Sequence, residues 1–261
     1  MKQTLIFYNF VGFMTLLRRE IHRFMKVPIQ TVVAPLLSNI LFLGIFGGVL
    51  QTRDVGIEGV GYLAFLVPGL VSMGALTAAF QNPSFSIVSQ KFQSTIQDLN
   101  SYPISDTEKT LAFIGGGVFR GVLVGTLTYA ATIPFVSYTI DNPLAFFGAM
   151  FVVSFIFASF GLIVGLFIEN FEKMNFVLAI VITPLTYLGG VFFEVSKLPG
   201  ILSYLRYINP IYPLVNMTRY AYLGQSEGEV ATHVLLALVI LVVIYFIARY
   251  CFKKGYGIKI N

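Results

Sequence analysis

Arg120 is the one ionisable side chain inside a long uncharged run, Thr110–Ile140. A charge buried in hydrocarbon is costly enough to mark a functional position by default. The run can also be divided so that its crossing part is Val118–Tyr138. Arg120 then lies near the interface, where its long stem reaches the headgroups, and the sequence favours that reading. The other reactive side chains form no constellation. His22 and His233 lie far apart and on opposite sides of the run pattern, which disfavours a metal site, and Cys251 is the only cysteine. No G-x-x-x-x-G-K-[ST] phosphate loop occurs, and Gly115-Gly116-Gly117 lacks the lysine that would make one. No carboxylate sits mid-run, which disfavours proton or sodium coupling through buried acids. The chain is therefore not expected to be an enzyme by itself, nor to carry a cofactor or metal.

These side chains must be positioned by a membrane protein. Of 261 residues, 56% are hydrophobic and only 11% charged, with a mean hydropathy of +0.81. Soluble chains carry about 45–50% apolar and about 25% charged residues. A single cysteine excludes a disulfide framework, and the apolar content excludes disorder. Roughly 20 apolar residues cross a bilayer, so about six spans would use nearly half the chain. No soluble catalytic domain of roughly 100 residues fits in what remains. Any energy source other than an ion gradient must come from another chain. The net charge of +5 reads as positive-inside asymmetry rather than a nucleic-acid footprint, and no nucleic-acid partner is expected.

The uncharged runs predict an all-α membrane protein with spans at Thr31–Leu50, Gly61–Phe80, Thr110–Ile140, Asn142–Ile168, Met174–Phe193 and Val230–Ala248. One side then collects Lys2, Arg18, Arg19, Arg23, Lys26, Lys91, Lys109, Arg120, Lys173, Arg249, Lys253, Lys254 and Lys259. The other has Arg53, Lys197, Arg206 and Arg219. Thirteen against four puts both termini in the cytoplasm. The first 26 residues lack an uninterrupted apolar stretch and a small-residue cleavage site, so no signal peptide is expected. They read instead as an interfacial helix on the inner leaflet, able to contact a cytoplasmic partner, or as a basic stop that only orients the first span. Phe10, Met14, Leu17, Ile21 and Met25 recur at helical steps, with Arg18, Arg19, His22, Arg23 and Lys26 largely on the opposite arc.

Two connections have patterns of their own. Between Pro83 and Pro103, Phe85, Val88, Phe92, Ile96 and Leu99 step by three or four residues and predict one amphipathic helix. It is either a lever for a soluble partner or a cytoplasmic extension of the second span packed on its neighbours. Between Glu194 and Glu229 the chain is apolar but rich in breakers. Ile201–Ile208 and Ile211–Tyr222 are each too short to cross, and suit two half-helices that dip into the outer leaflet and return, hinged at Asn209-Pro210. Arg206 and Arg219 flank that hinge, and must face water, headgroups or a protein acceptor. They either gate an exit or anchor the cap to lipid phosphates. Gly117, Gly121 and Gly125, Gly44 and Gly48, and Gly161 and Gly165 repeat every four residues, the spacing of close helix packing within a bundle.

Two segments add specificity. Ser94-Thr95-Ile96-Gln97-Asp98-Leu99 precedes Tyr102-Pro103-Ile104-Ser105. Thr183-Pro184-Leu185-Thr186-Tyr187-Leu188-Gly189-Gly190-Val191-Phe192-Phe193 is followed by Leu198-Pro199, Asn209-Pro210 and Arg219 to Leu223-Gly224. In this order they resemble the membrane-spanning permease of ABC-2-type transporters, within the ABC exporter superfamily, over essentially the whole length. Ser94 stands where that family usually has glycine and Gln97 where it has glutamate, with the acid displaced to Asp98. Which of Gln97 and Asp98 meets a partner stays open.

The resemblance implies one transmembrane domain over 1–261, with an interface helix at 1–27, a coupling helix at 84–99 and external re-entrant helices within 195–224. It implies ATPase coupling through Phe85, Val88, Phe92, Gln97, Asp98 and Leu99, and a translocation path past Asn39, Phe42, Phe46, Thr183, Tyr187 and Phe192. Arg206, Asn209, Pro210 and Arg219 would belong to the external cap. Two copies would pair in the bacterial inner membrane, among its lipids, above two copies of an ABC ATPase that holds ATP and Mg. The expected activity is export of a hydrophobic, lipid-linked or drug-like substrate. A gradient-driven transporter or channel, weakened by the missing mid-span acids, and a non-transporting scaffold are the alternatives.

Overall fold

The computed structural model describes residues 2–50, 59–101, 104–136 and 138–257; Arg53, Tyr102-Pro103 and Lys259 lie outside them. The described residues are helical, with no strand among them. The helices are α1 (Lys2–Met25), α2 (Ile29–Val49), α3 (Tyr62–Phe92), the single turn α4 (Asp98–Ser101) and α5 (Asp106–Thr132). After these come α6 (Pro143–Phe167), α7 (Phe171–Val191), the turn α8 (Leu205–Ile208), α9 (Ile211–Leu223) and α10 (Val230–Lys254). Six of them, α2, α3, α5, α6, α7 and α10, are long and apolar enough to cross a membrane.

Local chemistry sets the ends. Ser105 and Glu108 form a reciprocal capping box on α5. The Asn142 side chain caps α6 ahead of Pro143 at its first position. Gly224 and Gly255 close α9 and α10 at positive φ, 71° and 74°. The third span stops at Thr132, short of the expected Ile140, and Pro134 follows.

α3 is the hub, buried along most of its length between α5 and α6. Glycines let the backbones meet. A Cβ at Gly117 would lie 2.9 Å from the Ala79 carbonyl oxygen, and one at Gly121 would lie 2.8 Å from that of Ala75. Gly161 and Gly165 press α6 onto Phe80 and Ser84 of α3 in the same way. Gly44 and Gly48 depart from the expectation. Among the described residues a Cβ at either would meet nothing within 4 Å, so this pair looks outward from α2 and does not pack against them. The same helix leaves Ile29, Val33, Leu37, Leu41, Ile45 and Val49 exposed, one apolar stripe at four-residue spacing.

The connection after α3 corrects another expectation. α3 continues through Pro83 to Phe92, then Ser94 adopts φ 58° and breaks the helix. The predicted single helix Phe85–Leu99 is therefore the end of α3, a left-handed break and the separate turn α4. A serine at that angle carries a strain that glycine would not.

Candidate functional site

The site is a seam between α2 and α7, backed by α3. A cavity of about 340 Å³ is lined by Gln30, Ser38, Asn39 and Phe42 of α2, Met73, Thr77 and Gln81 of α3, and Thr183, Thr186 and Tyr187 of α7. It holds hydroxyls and amides, with no charged side chain in its wall. Asn39 is buried and donates from Nδ2 to the Thr128 hydroxyl of α5 at 3.0 Å. Gly74 makes room for that amide, since a Cβ there would stand 2.7 Å from Nδ2.

Rings close one end of the seam. Phe42 lies 6.0 Å from Tyr187 and 5.5 Å from Phe192, while Phe46 lies 4.5 Å from Phe192 and Tyr187 5.4 Å from Phe192. Ring pairs at such separations attract beyond the area they bury. The structure thus brings Asn39, Phe42, Phe46, Thr183, Tyr187 and Phe192 into one continuous surface.

Both walls are helices with defects. α2 opens with a π-helical turn, Ile29–Val33, and α7 contains two, Leu178–Ile182 and Tyr187–Val191. Proline explains the first. Pro35 has no N–H to give the Thr31 carbonyl four residues back. Arg120 supplies the missing donor, with Nε and Nη2 reaching that oxygen at 3.3 and 3.2 Å, and Nη2 also reaching Gln81 Oε1 at 3.0 Å. Arg120 is only 5% exposed. It is a buried bracket between α5, α2 and the cavity wall, and the expected reach to headgroups is not what the structure shows.

The connection between α7 and α10 is latched rather than loosely laid on top. Arg219 is 0% exposed. Its guanidinium donates to the Gly190 carbonyl at 2.6 Å and to Asn216 Oδ1 at 3.2 Å, and lies 3.9 Å from the centre of the Phe65 ring. Burial draws it below its ordinary range to about 10, which leaves it charged at neutral pH. Of the two roles weighed from sequence, lipid anchoring does not describe Arg219. Arg206 is half-buried and stacks 4.7 Å from the Tyr207 ring. Asn209 donates to the Leu185 carbonyl at 2.6 Å and accepts from the Ile211 amide at 2.9 Å, while Pro210 turns the chain into α9.

Several latch residues carry no sequence signal. Glu227 accepts from the Val195 and Ser196 amides at 2.9 and 2.6 Å. Its own carbonyl meets His233 Nε2 at 2.7 Å, and Tyr62 donates to the Phe192 carbonyl at 2.8 Å. Glu227 was findable only as an acid in an apolar connection.

At the opposite end, the six residues assigned to coupling separate. Val88 and Leu99 are buried in the chain, and Phe85 stacks on Phe171 at 6.0 Å. Phe92, at 78% exposure, and Gln97 and Asp98 face outward. The Val88 and Leu99 side chains therefore support the element and are not available to a partner. Beside them Lys91 donates to the Gly165, Leu166 and Ile168 carbonyls at 3.0, 2.5 and 2.8 Å, fastening the end of α3 to the end of α6.

A bundle of this kind, with a broken fifth span latched to the breaker-rich connection that follows it, defines a multi-pass transport permease. The model of the ABC-2 type transporter family matches residues 11–223, and the chain belongs to that family. It is 33% identical over 241 residues to the inner membrane transport permease YadH of Escherichia coli (strain K12), covering 92% of this chain and 94% of the relative. It is 24% identical over 234 residues to nodulation protein J of Sinorhizobium fredii (strain NBRC 101917 / NGR234), covering 88% of each. Membership of the family implies an ABC ATPase as partner.

Proposed function

We propose that the chain is the membrane-spanning subunit of an ATP-driven exporter, paired with a second copy above two ATPase subunits, with both termini in the cytoplasm. The observation that supports this best is the α2–α7 seam, an uncharged polar cavity ending in a cluster of rings. In the proposed orientation the cavity opens toward the cytoplasmic half and the rings close its outer end. The described spans carry Asp or Glu only in their first turns, so no acid lies midway along a span to take a proton through a cycle. ATP and Mg on the partner would supply the work. Phe92, Gln97 and Asp98 receive the push, Lys91 carries it to α6, and the π-helical turns of α2 and α7 let the ring cluster part. The substrate is hydrophobic, lipid-linked or drug-like, taken from the cytoplasm or inner leaflet.

Co-reconstitution with the ABC ATPase purified from the same membranes tests this. Movement of a fluorescent amphiphile should need ATP and stop when the ATPase is left out. Movement that follows an imposed proton or sodium gradient without the ATPase would defeat the proposal.

A further inference from the structure

A second cavity, of about 390 Å³, lies between α1 and the end of α3, lined by Arg19, Glu20, His22, Arg23, Lys26, Ser86, Ser89, Gln90, Gln93 and Thr95. Its cations outnumber its acids. Glu20 is its one carboxylate and is fully buried, held by Arg19 at 3.1 Å and Arg23 at 3.4 Å. Arg23 is fixed by its Nη2, which donates to the Asn82 carbonyl at 2.6 Å and to Asn82 Oδ1 at 2.8 Å. Among the described residues its Nη1 meets no acceptor, and neither does the Lys26 ammonium. Ser89 accepts from Gln93 and keeps its own hydroxyl hydrogen. The cavity therefore offers a preset guanidinium, an ammonium and a hydroxyl, with the internal carboxylate already occupied. That donor set suits a phosphate.

What continues from the rim decides which phosphate. Met25, Val27 and Ile29 flank Lys26 and are exposed, Ile29 to 76%, and Ile29 begins the outward apolar stripe of α2. A soluble phosphate has no use for that surface, whereas a phospholipid brings acyl chains to it. We infer that this cavity binds the headgroup phosphate of an anionic phospholipid, with the chains lying along α2. Basic pockets at the cytoplasmic side of membrane helices favour such lipids. The leaflet rests on the orientation proposed above, while the binding does not. Because Gln30 begins the lining of the seam one turn beyond Lys26, the lipid would brace the entrance to the transport cavity.

Native mass spectrometry of the purified protein in detergent, titrated with phosphatidylglycerol or phosphatidylcholine, tests the site. Phosphatidylglycerol should be retained over phosphatidylcholine, and Lys26→Gln with Arg23→Gln should weaken it about tenfold or more, the scale of two lost juxtamembrane cations. Because Arg23 also holds Asn82, the Lys26→Gln single variant, with an unchanged melting temperature, should still show part of the loss. Inorganic phosphate at millimolar concentration should not displace the lipid. Equal retention of both lipids, or unchanged retention in both variants, would overturn the proposal. Displacement by inorganic phosphate would replace it with a soluble-anion site. Equal lipid retention together with loss of the co-purifying ATPase from the variants would make the cavity a protein contact. Outside labelling of a cysteine at Lys254 would overturn only the leaflet and the orientation behind it.

Discussion

Arg219 and Arg206 sit on the same connection, between α7 and α10, and should behave differently. The Arg219 guanidinium is enclosed, and Gln is too short to reach the Gly190 carbonyl. Arg219→Gln should lower stability by on the order of 2 kcal/mol, the scale of a lost charged hydrogen bond. Arg206→Gln should stay within about 0.5 kcal/mol. Melting of the detergent-solubilised variants checks both, and equal small effects would mean that Arg219 is not a latch. Arg120 allows a sharper test, because its acceptor is a carbonyl that Pro35 leaves without its helical donor. Arg120→Gln should be destabilising. In a Pro35→Ala background, where a backbone N–H returns, it should cost less by about 1 kcal/mol. Additivity in this double-mutant cycle would remove the assigned link between Arg120 and the proline defect.

The helices divide into those legible as sequence and those set by contacts between distant segments. Long uncharged runs reveal all six spans, because the bilayer demands length and apolarity and little else. The end of α3 was less legible. Phe85, Val88, Phe92, Ile96 and Leu99 keep a helical period across the break at Ser94, since Ile96 and Leu99 are buried for their own packing reasons. Periodicity records burial, and two short elements buried on the same side imitate one long helix. The Arg120 bracket carried a signal in the four-residue step from Thr31 to Pro35, whereas the Glu227 latch depends on amides more than thirty positions away. The coupling role proposed for Phe92, Gln97 and Asp98 has its own consequence. Phe92→Ala with Asp98→Lys should cost the complex about 2 kcal/mol or more in ATPase affinity, with melting unchanged. Leu99→Ala should instead lower the melting temperature, at about 2–5 kcal/mol for a truncated core leucine. Pull-down and melting of the same preparations separate the two, and a pull-down unaffected by the Phe92, Asp98 pair would move docking elsewhere.

As a whole, the molecule is well buried around α3 and open along α2, α7 and α10, where long apolar faces are left uncovered. Lipid suits the first turns of the α2 stripe, Ile29 to Leu37, while the outward pair Gly44 and Gly48 further along α2 leaves room for the second copy proposed above. The ATP-driven cycle proposed above would require the seam to be open to one side of the membrane at a time, under nucleotide control. Ser38 lines the cavity and is exposed, so a cysteine there disturbs little. With Cys251→Ser as background, Ser38→Cys in vesicles containing the permease and its ATPase should react with an impermeant thiol reagent from the cytoplasmic side without nucleotide. It should be protected there when ATP is bound and hydrolysis is blocked. Reactivity that ignores nucleotide, or that follows an ion gradient instead, would contradict an ATP-driven path along the α2–α7 seam.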